Sequence, residues 1–168
     1  MSKAALYYYY PSKDAMLFEL VFDVLDSQAK AVHGAVEQTT DGAAALDALI
    51  RQTVQTFAPR LDDFRLAFLH GQVAGPGAVH WSSAQFDRIR PLNDLNFAGT
   101  AQRLSKSRGK KKATSPAIDP RLLTFLAYVS AIGLLTMKGM VESLDDPLVY
   151  SDETLIDGLS KVFQTAAG

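Results

Sequence analysis

Asp119-Pro120-Arg121-Leu122-Leu123-Thr124-Phe125-Leu126-Ala127-Tyr128-Val129-Ser130-Ala131-Ile132-Gly133-Leu134-Leu135-Thr136-Met137-Lys138 is the stretch whose reading decides the fold. The carboxylate of Asp119 suits a helix cap, and Pro120 suits the first helical position, where a backbone N–H would have no partner anyway. From Leu122 onward apolar side chains fall on every side of the predicted helix and continue through Met140 and Val141. A helix apolar all round needs cover on every side. The apolar run Leu122–Met137 is interrupted by Thr124, Ser130 and Thr136 and bounded by Arg121 and Lys138. It falls short of the roughly 20 residues that a membrane span needs, so it reads as a buried helix. In a chain of 168 residues a subunit interface is the expected source of part of its cover, with Gly133 and Gly139 permitting close approach.

Outward from this helix the same periodicity recurs, and no segment alternates apolar and polar residues with period two, so the predicted fold is all-α. On the C-terminal side, Ser151 followed by Asp152 and Glu153 starts a last helix with the apolar face Leu155, Leu159, Val162 and Phe163. On the N-terminal side, Pro11 stops one helix and Ser12 caps the next. That helix is predicted to reach about Thr39, with one stripe over Leu17, Leu20, Val21, Val24 and Leu25 and a second over Phe18, Phe22, Ala29 and Val32. After Asp41-Gly42, the positions Leu46, Leu49, Ile50, Thr53, Val54 and Phe57 define an amphipathic helix that ends before Pro59. A further helix is expected from Leu61 to about Ala74, before Gly75-Pro76-Gly77, and another from Ser82 to about Ser105 that Pro91 should kink or split. Arg103 to Lys112 holds six basic residues in ten and reads as a solvated loop.

Composition narrows the function classes. Hydrophobic residues make up 48% and charged residues 21%, with a net charge of −1, which describes one soluble globular domain without a global pull toward nucleic acid. The absence of cysteine removes disulfides, thiol catalysis and cysteine-based zinc sites. His33, His70 and His80 lie on separate segments without i, i+4 partners, so no metal site is expected. Asp62-Asp63 and Asp145-Asp146 read as caps or solvated charges, and no phosphate loop or nucleophile elbow occurs. The expectation is a protein that is not an enzyme and holds no cofactor. Met1-Ser2-Lys3-Ala4 shows no secretory pattern, so a cytoplasmic location is expected.

Ser2-Lys3-Ala4-Ala5-Leu6-Tyr7-Tyr8-Tyr9-Tyr10-Pro11-Ser12-Lys13-Asp14-Ala15-Met16-Leu17 resembles the end of the DNA-binding head in the TetR family, the tetracycline-repressor-like regulators. Tyr7 stands at that family's Tyr position, Tyr9 at its His, Tyr10 at its Phe, Lys13 at its Lys, and Met16-Leu17 at its Leu pair. The resemblance implies a helix-turn-helix remnant over residues 1–12 and a ligand-binding and dimerising helical body over 13–168. It implies DNA contacts from Ser2, Lys3, Ala4, Tyr7, Tyr8 and Lys13: a first-turn cation at the groove, a phenol donating to phosphate, and a charge at the next helix N-terminus. Tyr10 should be half core. The family's head places two further helices before the recognition helix, and a short isolated helix in water is marginal, so this chain alone is expected to bind DNA poorly.

The implied protein is a homodimeric, ligand-responsive transcriptional regulator, acting as a repressor on operator DNA. The alternative is a helical small-molecule-binding or dimerisation module without DNA-binding activity. A small apolar or amphipathic effector is expected between the middle helices, Leu61 to Leu104, with Phe68, His70, Trp81, Phe86, Phe97 and Tyr128 as candidate lining. The candidate dimer interface on the last two helices comprises Leu126, Val129, Ile132, Gly133, Met137, Met140, Leu155, Leu159 and Phe163. No membrane partner is expected.

Overall fold

The computed structural model describes residues 8–70, 81–108, 118–141 and 150–167. Among the described residues the fold is all-α, without a strand. Helix α1 (Lys13–Glu37) starts where Ser12 Oγ accepts from the Ala15 N–H at 3.0 Å, and Asp14 sits in its first turn. Its core face is Phe18, Val21, Ala29, Val32 and Val36, with Gln28 among them. Of the stripe expected over Leu17, Leu20, Val21, Val24 and Leu25 only Val21 is buried; Leu17, Val24 and Leu25 are half-buried and Leu20 is exposed.

Helix α2 (Gly42–Phe57), capped by Asp41 on the Ala44 N–H at 2.9 Å, is the axis of the bundle and touches every other long helix. Leu46, Leu49, Ile50, Val54 and Phe57 are fully buried along it. Each such side chain stabilises the fold by about 1.5–3 kcal/mol relative to exposure. A 3₁₀ turn with Pro59 (Ala58–Arg60) leads into α3 (Leu61–Phe64), which continues as a wider π turn over Arg65–Leu69. The single helix expected there is thus subdivided, and its end near Ala74 lies outside the described residues.

Helix α4 (Ser83–Arg108) runs through Pro91 without splitting, so of the two expected outcomes, a kink or a split, the split does not occur. Proline removes one backbone donor; the ring lies on the exposed side, while Leu92, Asn96, Thr100 and Leu104 seat the opposite face in the bundle. The basic loop also starts later than expected. Arg103 is helical and partly buried, and its guanidinium donates to the Glu37 carboxylate at 3.2 Å and to the carbonyls of Glu37 and Thr39 at 3.3 Å each. It ties α4 to the end of α1; residues 109–112 lie outside the described residues.

Helix α5 (Pro120–Val141) begins at the predicted cap, with Asp119 Oδ1 accepting from the Leu122 N–H at 2.9 Å. By length and composition alone Pro120–Met140, 21 residues at mean hydropathy 1.5, suffices to cross a membrane. The helix continues through Thr124, Ser130 and Thr136. In the bundle, α5 seats Leu123, Thr124, Ala127, Ala131 and Leu135 in the core, and the small Ala127 and Ala131 let it lie close to its neighbours. Helix α6 (Asp152–Ala167) starts with Ser151 Oγ accepting from the Thr154 N–H and contributes Ile156 and Phe163 to the same core. Arg51 of α2 clamps α6, donating to Asp157 at 2.8 Å and Glu153 at 2.7 Å.

Candidate functional site

Helix spacing brings one cavity together. Leu92, Asn96 and Phe97 share a face of α4; Leu122, Phe125 and Tyr128 share a face of α5; Leu25 of α1 and Ala67 and Phe68 of the π turn complete the wall with Trp81. The half-open cleft between them has a volume of about 680 Å³, within the range of about 300–1,000 Å³ typical of small-molecule sites. Its lining is chiefly apolar and aromatic. Phe97 meets Tyr128 edge-on at 5.1 Å and Phe125 at 6.1 Å, and Trp81 meets Phe18 edge-on at 5.7 Å. Burial pushes the Tyr128 phenol well above the ordinary tyrosine range, so it stays neutral under physiological conditions. At the mouth, Asp119 and Arg121 place one charge of each sign.

Behind the cavity wall runs a buried chain of polar side chains. Thr53 donates its hydroxyl proton to the Leu49 carbonyl at 2.7 Å, and accepts from Gln28 Nε2 at 3.4 Å. Gln28 Oε1 in turn accepts from Asn96 Nδ2 at 3.1 Å. Gln28 and Thr53 are fully buried and Asn96 is 6% exposed. The chain ends at Asn96, a residue of the cavity wall, whose Oδ1 is buried without a partner; Trp81 Nε1 is likewise buried without a partner. One side of the cavity is braced by Arg88 of α4, whose guanidinium lies over the rings of Phe18 and Phe22 and holds both oxygens of Glu19 on α1. That ion pair holds the Glu19 carboxyl below its ordinary range.

No family model, curated protein or solved structure matches the chain. Of the six candidate lining residues, Phe68, Trp81, Phe97 and Tyr128 do line the cavity. His70 is exposed and outside the lining, and Phe86 is 53% exposed, packing against the outer side of Trp81 at 5.8 Å. Sequence reasoning passed over Asn96, Phe125 and Leu25. A polar Asn93/Asn96 pair beside Leu92 and Phe97, and Gln28 in line with Val21 and Val32, were the available signals.

A second feature is the outer face of α5. Leu126, Val129, Met137 and Met140 are between 41% and 57% exposed, and Val162 of α6 is 65% exposed. Gly133 has open space on this face. Of the remaining interface candidates, Ile132, Leu155 and Leu159 are half-buried, whereas Phe163 is buried in the core of its own chain and offers little surface to another.

Among the residues assigned to DNA contact, Ser2, Lys3, Ala4 and Tyr7 lie outside the described residues. Tyr8 is 85% exposed, with its ring edge-on to Tyr9 at 5.3 Å, and Lys13 is exposed in the first turn of α1. Tyr10 is half-buried, as expected. His33 is half-buried, and among the described residues no cluster of three His, Asp or Glu side chains could hold a metal ion.

Proposed function

We propose that the chain is the ligand-sensing, dimerising body of a TetR-like transcriptional regulator that represses from operator DNA. The observation that carries this reading is the place of the cavity. Its wall includes Leu25 of α1, and α1 begins directly after the segment that resembles a recognition helix. A ligand that fits one setting of α1 better than another shifts the population of that setting. In a two-fold dimer such a shift changes the separation of two recognition elements, which must match half-sites about 34–36 Å apart. Coupling of roughly 1–3 kcal/mol is the ordinary scale of such effects.

The outer face of α5 supports the dimer half of the reading. It carries the large exposed apolar side chains of Leu126, Val129, Met137 and Met140. A second copy of the same face, related by a two-fold axis, buries apolar surface against apolar surface. Light scattering of the 18.3 kDa chain tests this. The expected mass is twice that of the chain, and Val129→Glu, at an exposed position that leaves the monomer's core intact, is expected to halve it. A gel-shift assay with the DNA upstream of the protein's own coding sequence tests the regulatory half. A monomeric parent chain overturns the reading; so does a dimer of the full gene product that never shifts that DNA.

A further inference from the structure

Resting on the ligand-binding reading above, we infer that the Tyr128 hydroxyl is the polar anchor of the cleft and selects an uncharged ligand with an apolar body and a carbonyl-type oxygen that accepts the phenolic proton. Elimination among the polar groups of the cleft wall singles it out. Asn96 Oδ1 and Trp81 Nε1 are sealed off, and Asn96 Nδ2 is committed to Gln28. Asp119 is committed as the cap of α5, where it accepts from the Leu122 N–H at 2.9 Å. Asn93 and Arg121 are exposed, so water satisfies them. The Tyr128 hydroxyl differs from all of these. Its ring is held between Phe97 at 5.1 Å and Phe68 at 6.5 Å, while its oxygen is not among the sealed atoms and has no hydrogen-bond partner among the described residues.

The chemistry of that oxygen sets the ligand class. Packed among rings, the phenol is denied the hydration that its charged form needs, so burial raises its pKa and it keeps its proton. A protonated phenol can donate. An unpaired polar group in an apolar wall is costly, and a ligand oxygen that takes the proton removes that cost. A hydrocarbon fills the same space and leaves the hydroxyl unpaired. A carboxylate also accepts, but it must give up water among Phe68, Phe97 and Phe125 without a cation beside it, because Arg121 is exposed at the mouth and Asp119 there offsets its attraction. Burying an unpaired charge costs far more than burying a neutral carbonyl.

NMR titration of the full chain with acetophenone, ethylbenzene and benzoate tests this, because the three share a ring and nearly one shape and differ in acceptor and charge. The decisive comparison is between the parent and Tyr128→Phe, which keeps the ring and removes the hydroxyl. Acetophenone affinity should fall about fivefold in the variant while ethylbenzene affinity stays within about twofold, and benzoate should be the weakest ligand of the parent. Without ligand, the Tm of Tyr128→Phe should be no lower than that of the parent, since the hydroxyl it loses has no partner within the chain. A ketone that loses no more affinity than the hydrocarbon overturns the inference. So do benzoate binding more tightly than acetophenone, a destabilised unliganded variant, and the absence of binding by all three. None of these results touches the regulator reading, which is decided separately by oligomeric state and gel shift.

Discussion

Gly42→Ala probes the closest approach between two helices in the bundle. Gly42 opens α2 against the C-terminal part of α4, where its N–H donates to Ser107 Oγ at 3.0 Å. A Cβ built there would stand 2.8 Å from Leu104 Cα and 3.1 Å from Leu104 N. These are backbone atoms of a helix and cannot turn aside. Reaching the lower edge of ordinary contact, 3.4 Å, requires 3.4 − 2.8 = 0.6 Å of separation. A gap of that size forfeits roughly a quarter to a half of each dispersion contact it opens, and it acts on a seam that includes fully buried Leu46 and Leu104. Overpacking of this kind costs about 1–3 kcal/mol. The better helix propensity of alanine offsets at most about 1 kcal/mol of that, and less at a helix terminus. The expected net loss is about 1–2 kcal/mol, and at about 2–4 °C per kcal/mol for a chain of this size Tm falls by roughly 2–8 °C. Circular dichroism melts and urea titrations with unchanged m-value provide the measurement. Gly34→Ala is the control: that glycine is exposed inside α1 with nothing within 4 Å of the added carbon, so stability should rise by about 0.5–1 kcal/mol. If Gly42→Ala is as stable as the parent while Gly34→Ala behaves as stated, the reasoning from close approach is wrong.

Arg51→Met should lower the urea midpoint by an amount equivalent to about 1 kcal/mol, since it leaves Asp47, Glu153 and Asp157 facing one another, and their exposure discounts the pair energies. The loss should shrink in high salt, and salt-independence would refute its electrostatic origin. The Glu19–Arg88 pair gives a pH signature. Because Arg88 lowers the Glu19 pKa in the folded state, its contribution is present above the ordinary value of 4.5 and fades as pH falls through the folded value. Arg88→Met should therefore lower stability above the ordinary value of 4.5 and converge on the parent as pH falls, which flattens the acid limb; a loss that is the same at all pH values would count against the pair.

Helix starts were legible in the sequence because capping is local. Ser12, Asp41, Asp119 and Ser151 each accept from an N–H three residues on, which short-range spacing alone announces. Burial was less legible. Two stripes of α1 are equally apolar as written, but only the face of Phe18, Val21, Val32 and Val36 meets α2 and α4, and Leu20 is left exposed. Pro91 does not split α4 for a related reason: a lost donor is a local cost, and the packing of Leu92, Asn96 and Leu104 across the bundle outweighs it. The cavity was half legible. Its aromatic residues stand out by type, whereas Asn96 gains its meaning only from Gln28 and Thr53, 68 and 43 residues away.

Sequence by itself determined the all-α class, the caps, and the surplus of apolar surface on Asp119–Val141, because each follows from spacing within a few turns of chain. Tertiary structure decided which side of that surplus α2 and α6 cover and which stays open, since burial depends on neighbours remote in sequence. It also decided that the buried amides form a chain of fixed polarity, because the direction of a hydrogen bond is set by its partner, and the last partner here is the backbone carbonyl of Leu49.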